Sequence, residues 1–323
     1  MKLLITGSSG FVGKTVCGLA TKQGHTVCNV MRKKSDLTQI NQKCKQDSTF
    51  WVDSINADTN WVGAFDGVDC VVHCAARVHH MHENPADVLA AYRSINTEGT
   101  RHLAQQAAAG GVKRFVFISS IKVNGESTSP DQPFYAEDKP NPQDPYGISK
   151  YEAEQALFEI ARQTGLEVVI VRPPLVYGPG VKANFLTMIK WIERRLPLPL
   201  GAIHNKRSMI YVDNLAELIM TCCVHPSAVG KVFLASDNED VSVTRLLQTV
   251  AHAMGRRPCL LPIPTWILIY VAKGINRSEV SQRLCGSLQV DINKTMSQLN
   301  WRPTYTFEQG INKTVSDYLA TKS

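Results

Sequence analysis

A short apolar run, Lys2-Leu3-Leu4-Ile5-Thr6, breaks at Gly7-Ser8-Ser9-Gly10-Phe11-Val12-Gly13, and a helical pattern begins at Phe11. Glycines at these spacings let a chain turn tightly, come close to a ligand and pack a helix against a strand. The helix that follows offers unpaired N–H groups and a partial positive charge, a match for a pyrophosphate. A glycine triplet by itself says little. Between a first strand and a first helix it commits the chain to a strand–turn–helix unit of the dinucleotide-binding kind. Gly7, Ser9, Gly10, Phe11, Val12 and Gly13 are therefore the expected cofactor loop.

The rest of the first half continues the alternation. Lys2–Thr6, Thr26–Met31, Thr49–Val52, Asp69–Ala75, Arg114–Ser119 and Val168–Arg172 read as buried strands, short and rich in Val, Ile and Phe. Helices are expected over Phe11–Gln23, Asp87–Ala109 and Pro145–Thr164, which predicts a parallel sheet covered on both faces. After Arg172 prolines punctuate the chain, and shorter helices are expected near Ala183–Arg195, Asp213–Val224 and Val243–Met254. The division is residues 1–177 for the dinucleotide domain and 178–323 for a substrate lobe, with elements at about 208–235 returning to the first.

The end of the second strand bears on the cofactor. A carboxylate there accepts hydrogen bonds from the ribose hydroxyls of NAD. This chain has Met31 followed by Arg32-Lys33-Lys34. A guanidinium pairs with a 2′-phosphate that a carboxylate would repel, so Arg32 and Lys33 favour NADP(H), with NAD(H) the alternative and a solvated basic turn the bland reading.

Asp144-Pro145-Tyr146-Gly147-Ile148-Ser149-Lys150 opens a helix, with Asp144 as N-cap and Pro145 at the first position. Tyr146 and Lys150 share a face at i and i+4. A nearby ammonium would lower the phenol toward working pH, so that Tyr146 exchanges a proton while hydride moves. Ser120, ending a strand, could hydrogen-bond the same oxygen. Glycine loop, Ser and Tyr-x-x-x-Lys in this order make Ser120, Tyr146 and Lys150 the expected catalytic set.

With these residues the chain resembles the extended short-chain dehydrogenase/reductases that act on nucleotide sugars. Further marks are His73-Cys74-Ala75-Ala76, Asn96-Thr97-Glu98-Gly99-Thr100, Ser119 to Gly125, Arg172 to Gly180 and Asn300-Trp301-Arg302-Pro303. The resemblance implies a Rossmann-type doubly wound parallel sheet with a smaller mixed α/β substrate lobe. It implies Asp53 and Ser54 by the adenine, Ala75 and Ala76 by the cofactor backbone, and Lys150 on the nicotinamide ribose. Asn96 supports the site, and Pro173 lines the cofactor. On the substrate side it implies Ser120, Lys122, Asn184, Leu198, Leu200, Gly201, Arg207 and, on a looser alignment, Arg283. Two departures are Asn124, where the family often has Tyr, and Met31-Arg32 in place of an acidic residue. Ala76-Arg77-Val78-His79 and Leu284 to Leu288 resemble the reductases of surface-polysaccharide (O-antigen) synthesis. These reduce the 4-keto group of a UDP-4-keto-6-deoxy-N-acetylhexosamine to form UDP-N-acetylquinovosamine. A UDP-hexose or UDP-N-acetylhexosamine 4-epimerase with tightly bound NAD is the alternative. A cofactor-sensing protein of the same fold is disfavoured because Tyr146 and Lys150 are both present. A homodimer through the helices containing Asp87–Ala109 and Pro145–Thr164 is a family expectation.

Composition closes off other classes. Thirty-five basic against 28 acidic residues give +7, which suits an anionic substrate without requiring nucleic acid. Nine cysteines, with no Cys-x-x-Cys pair, fit neither a disulfide scaffold nor a zinc ribbon. His79, His80 and His82 lack a matching ligand set and read as a polar loop near the substrate mouth, so no metal is expected. The first apolar run is too short for a signal-peptide core. Cys259–Ala272, at 14 residues, falls short of the roughly 20 needed to span a bilayer. A buried or pocket-lining helix from about Thr265 is expected there, a surface-lying one being the alternative. The whole reads as a soluble cytoplasmic enzyme without stable membrane insertion.

Overall fold

The computed structural model describes residues 1–32, 48–78, 85–129, 131–274 and 284–322. Seven parallel strands form the main sheet: β1 (Lys2–Thr6), β2 (Thr26–Arg32), β3 (Ser48–Val52), β4 (Cys70–His73), β5 (Arg114–Ile118), β6 (Glu167–Arg172) and β9 (Lys231–Leu234). Their order is β3-β2-β1-β4-β5-β6-β9, so the winding reverses between β1 and β4. Leu3 sits in register with Val27 on one side and Cys70 on the other. In open sheets of this kind ligands bind beyond the carboxyl ends of the strands at such a reversal.

Each central strand is apolar at successive positions because both faces are covered. Leu3, Ile5, Val72, Val116 and Val169 pack with Val16 and Ala20 of α1 (Phe11–Lys22) and Leu215 and Ile219 of α6 (Val212–Val224). The alternate residues, Leu4, Val71, Phe115, Phe117 and Ile170, pack with Leu103 of α3 (Thr100–Ala109) and Leu157 of α4 (Pro145–Thr164). The result is a Rossmann-like α/β layer structure, as the alternation predicts.

The helix expected over Asp87–Ala109 is not uniform. It divides into α2 (Pro85–Tyr92), a π-helical turn over Arg93–Gly99 and then α3. A π turn widens the helix by one residue and re-aims its side chains. Gly99 within it lies so close to the loop after β3 that an added Cβ would stand 2.7 Å from the Ile55 carbonyl oxygen.

A second sheet holds β7 (Leu175–Tyr177), β8 (Arg207–Tyr211) and β10 (Asp240–Val241) in the order β10-β8-β7. Around it lie α5 (Ala183–Glu193), α7 (Val243–Ala253) and α10 (Phe307–Ala320), closing a core that includes Phe185, Ile189, Leu247, Phe307 and Ile311. Asp237, just after β9, ties the two sheets together. Its carboxylate accepts from the Tyr177 hydroxyl at 2.7 Å, from Tyr211 N–H at 2.9 Å and from Asn214 Nδ2 at 2.7 Å. Burial pushes this carboxyl up to about 6.

The expectation of a buried helix from Thr265 holds on one side only. α8 (Thr265–Gly274) packs Leu268 on the second core, but Trp266 and Tyr270 are 70% and 78% exposed. Hydropathy reports composition, and this helix is apolar on more faces than its neighbours cover. α9 (Asn293–Leu299) completes the elements. No helix among the described residues is long and apolar enough to cross a membrane. None of the eight described cysteines is joined in a disulfide.

Candidate active site

The glycine loop is built as its sequence requires. Gly7 has φ +66°, and a Cβ there would stand 2.8 Å from the Ala75 nitrogen. A Cβ on Gly13 would come within 2.1 Å of the Gly7 carbonyl oxygen, so only glycine lets α1 pack this close to the turn. Gly10 is the N-cap of α1, provides no side-chain cap, and no acidic residue occupies the first turn. The leading N–H groups of α1 are thus left for an exogenous anion. That cradle, facing Ala75 across the switch point, fits the pyrophosphate of a dinucleotide.

Around it stand the other cofactor-side residues. Arg32 is the exposed last residue of β2, paired in register with Val52, and Asp53 and Ser54 follow at the end of β3. Ala75 and Ala76 leave β4 partly covered, with Ala75 N–H donating to Thr6 Oγ1 at 3.2 Å. Pro173 is buried and its carbonyl accepts Ile121 N–H at 3.0 Å. Lys33, Arg283 and the histidines at 79, 80 and 82 lie outside the described residues.

Beneath the cradle runs a polar chain that sequence reasoning did not isolate. His73, fully buried, has Nδ1 2.6 Å from Thr6 Oγ1 and Nε2 2.9 Å from Thr100 Oγ1. Thr100 Oγ1 donates to the Asn96 carbonyl at 2.7 Å, so it accepts from His73 and places the imidazole proton on Nε2. Thr6 then donates to Nδ1 while accepting from Ala75. Burial, with Lys150 nearby, lowers His73 to about 3, so it stays neutral. The Asn96 side chain, brought round by the π turn, accepts Arg77 N–H at 2.8 Å. It donates to the Arg77 carbonyl at 3.2 Å and to Ser149 Oγ at 3.0 Å. β4, the π turn and α4 are thereby held in one register.

Asp144 caps α4 through Gly147 N–H at 2.6 Å, and Pro145 takes the first position. A Cβ on Gly147 would stand 2.9 Å from the Lys122 carbonyl oxygen, so the start of α4 presses on the turn that carries Ser120. Ser120 caps the short 3-10 turn Ile121–Val123. Lys150 is buried, donates to the Ile118 carbonyl at 2.8 Å and lies 4.4 Å from the centre of the Phe117 ring. The three expected catalytic residues thus converge at the carboxyl end of β5. The expected lowering of the Tyr146 phenol is not found. Burial raises it, aided by Asp144 and by Tyr92, whose ring centre is 6.0 Å away. Lys150 itself is drawn down to about 7 by burial, and its ammonium is directed at Ile118.

The substrate-side residues divide. Lys122 is held between Glu126 at 2.9 Å and Asp144 at 2.5 Å. Arg207 starts β8 and donates to the Gly286 carbonyl at 3.0 Å; burial lowers its guanidinium while Glu126 opposes that shift. Asn184 is exposed in the first turn of α5. Leu198 and Leu200 turn their side chains into the second core, and Gly201 N–H bonds the Leu261 carbonyl. That stretch is therefore tied into the packing of the lobe.

A buried ion pair supports the Ser120 turn from behind. Arg172 grips Glu154 with Nε at 2.9 Å and a terminal nitrogen at 2.5 Å, and Glu154 also accepts from Ser119 Oγ at 2.5 Å. Asn124 completes it, accepting from Arg172 at 2.9 Å and donating to the Tyr135 carbonyl. The departure at Asn124 thus sits in a structural network. The one signal for Glu154 in the sequence is a carboxylate on the apolar face of α4, next to Ala153 and three residues before Leu157.

A model of the NAD dependent epimerase/dehydratase family matches residues 3–235. A UDP-glucose 4-epimerase of Vibrio cholerae is 43% identical over 320 residues, covering 98% of this chain and 95% of its own. The N-acetyl-alpha-D-glucosaminyl-diphospho-ditrans,octacis-undecaprenol 4-epimerase of Escherichia coli O157:H7 is 27% identical over 334 residues, covering 97% and 94%. Among solved structures, UDP-glucuronic acid 4-epimerase from Bacillus cereus in complex with NAD is similar, with a TM-score of 0.80 over 100% of both chains. Its 18% identity speaks for the fold alone.

Proposed function

Because the chain belongs to the NAD-dependent epimerase/dehydratase family, we propose that it is a UDP-sugar 4-epimerase that oxidises and re-reduces carbon 4 of the sugar. The observation that carries this choice is the 43% identity, over nearly the full length of both chains, to a UDP-glucose 4-epimerase. It displaces the net 4-keto reductase as the first reading.

The glycine loop and the open N-terminus of α1 would hold the pyrophosphate, and Ala75, Ala76, Asn96 and Pro173 would border the rest of the cofactor. Bound nicotinamide supplies the hydride acceptor and donor. Tyr146 takes the proton of the 4-hydroxyl as hydride leaves and returns one when hydride comes back on the other face. Ser120 hydrogen-bonds the same oxygen, and Lys150 stabilises the phenolate whenever it forms. Arg207 would meet the diphosphate, the group shared by the substrates named in both relatives, with its planar fork suited to paired oxygens.

One observation favours net reduction as a second reading: Arg32 ends β2 where a retained NAD would find a carboxylate. The test is incubation of purified protein with UDP-glucose or UDP-N-acetylglucosamine, no cofactor added, followed by NMR. Appearance of the galacto epimer supports the epimerase. No conversion, with NADPH consumed only when a UDP-4-keto-6-deoxy sugar is supplied, gives the reductase instead.

A further inference from the structure

α8 and the strand-like segment leading into it form the most exposed apolar surface in the second lobe. Trp266, Ile269 and Tyr270 fall at i, i+3 and i+4 on one helical face, and Lys273 at i+7 extends it. Trp266 is 70%, Tyr270 78% and Val271 53% exposed, and Leu261, just upstream, is 45% exposed. The opposite side of the helix is anchored: Leu268 packs in the second core and Thr265 Oγ1 donates to the Ala202 carbonyl. The helix is therefore fixed in place with its aromatic side outward.

The charged side chains around this face are mostly basic, and the Glu193 carboxylate near Arg256 is paired with Lys322. From Val241 to Gly274 the sequence holds no Asp or Glu, while Arg256, Arg257 and Lys273 flank the apolar run. The neighbouring stretch Arg194–Val212 likewise has no carboxylate, begins with exposed Arg194 and Arg195, and joins this segment through Leu198 N–H on the Cys259 carbonyl. Trp and Tyr with a basic rim match the boundary of a bilayer, where rings settle at headgroup level and cations meet anionic lipid. At 10 residues the helix lies along such a surface and does not span it. A symmetric contact with a second copy would set the same basic rim against itself, which repels.

We propose that α8 docks this enzyme on an anionic lipid bilayer, with Trp266 and Tyr270 inserted at the headgroup boundary and Arg257 and Lys273 against lipid phosphates. The inference stands apart from the reaction at carbon 4, since none of these residues belongs to the catalytic site.

Full-length protein is sedimented with vesicles of phosphatidylcholine alone and with vesicles that also contain phosphatidylglycerol, at low and high salt. The expected result is binding about tenfold stronger to the phosphatidylglycerol vesicles, weakened by salt. Trp266→Ser combined with Tyr270→Ser should reduce it about tenfold or more. Lys273→Glu, a single exposed change that leaves the fold alone, should also weaken it, and both variants should keep full turnover of soluble UDP-sugar. Absence of vesicle binding, equal binding to both vesicle types, or undiminished binding by the variants overturns the proposal. So does a chain that ignores vesicles and passes from dimer to monomer on Trp266→Ser, which assigns the face to a second copy.

Discussion

Asn96 holds Arg77 by both of its backbone groups, Oδ1 accepting the N–H at 2.8 Å and Nδ2 donating to the carbonyl at 3.2 Å. The same Nδ2 reaches Ser149, whose hydroxyl donates to the Tyr146 carbonyl at 2.8 Å. One amide therefore links the exit of β4, beside the cofactor cradle, to the turn that carries the phenol. Asn96→Ala strands these partners and should cost about 1–3 kcal/mol in urea unfolding. Misplacing the start of α4 should lower turnover about ten- to a hundredfold. Asn96→Asp keeps the acceptor for Arg77 N–H and loses the donors, so it should fall between wild type and Asn96→Ala. Turnover equal to wild type in Asn96→Ala would show that α4 is positioned by other contacts.

Lys150 provides a test by pH. Its ammonium falls from the usual 10.5 to about 7 in the folded chain without ligand. Above about 7 the unfolded chain holds the extra proton, so stability rises with pH from there toward 10.5. The cleanest part of that window lies below 9.0, where the ordinary thiol of Cys74 is already half ionised in the unfolded chain. Lys150→Met should flatten the rise, by an amount on the order of 2 kcal/mol, and abolish turnover. Denaturant midpoints across the window check the first effect. Parallel slopes in the two proteins contradict the assignment.

Much of this was legible from residues alone. β1, β4, β5 and β6 are buried on both faces, so their apolar runs announce them, and Gly7, Gly10 and Gly13 fix the turn at the switch point. The π turn was not legible, because one inserted residue leaves the helical pattern around Asn96 nearly intact. The raised phenol of Tyr146 escaped for a related reason: i, i+4 spacing places Lys150 on the right face but does not reveal that its ammonium bonds Ile118. α8 escaped because Trp266 and Tyr270 carry the same hydropathy whether covered or bare. Glu154 and Arg172 are 18 residues apart, and only the fold joins them.

That pair yields a further prediction. Both side chains are almost fully buried, and their other contacts reach Ser119 and Asn124 on either side of the Ser120 turn. Glu154→Ala leaves a buried guanidinium without its counterion and should cost about 3–5 kcal/mol, read as a lowered midpoint in thermal or urea unfolding. Glu154→Gln, which retains acceptors for Arg172 and Ser119, should recover part of the loss. An Ala variant as stable as wild type would mean that water replaces the carboxylate.

The central claim is that Tyr146 handles the proton at carbon 4. Turnover of a UDP-hexose by purified Tyr146→Phe, measured beside wild type under saturating substrate, tests it most directly. The Tyr146 ring lies 6.0 Å from that of Tyr92, a contact phenylalanine can keep, so the exchange should remove little besides the hydroxyl. Turnover should fall by about a hundredfold or more, with the thermal midpoint retained. Turnover equal to wild type would remove Tyr146 from the chemistry and contradict the account.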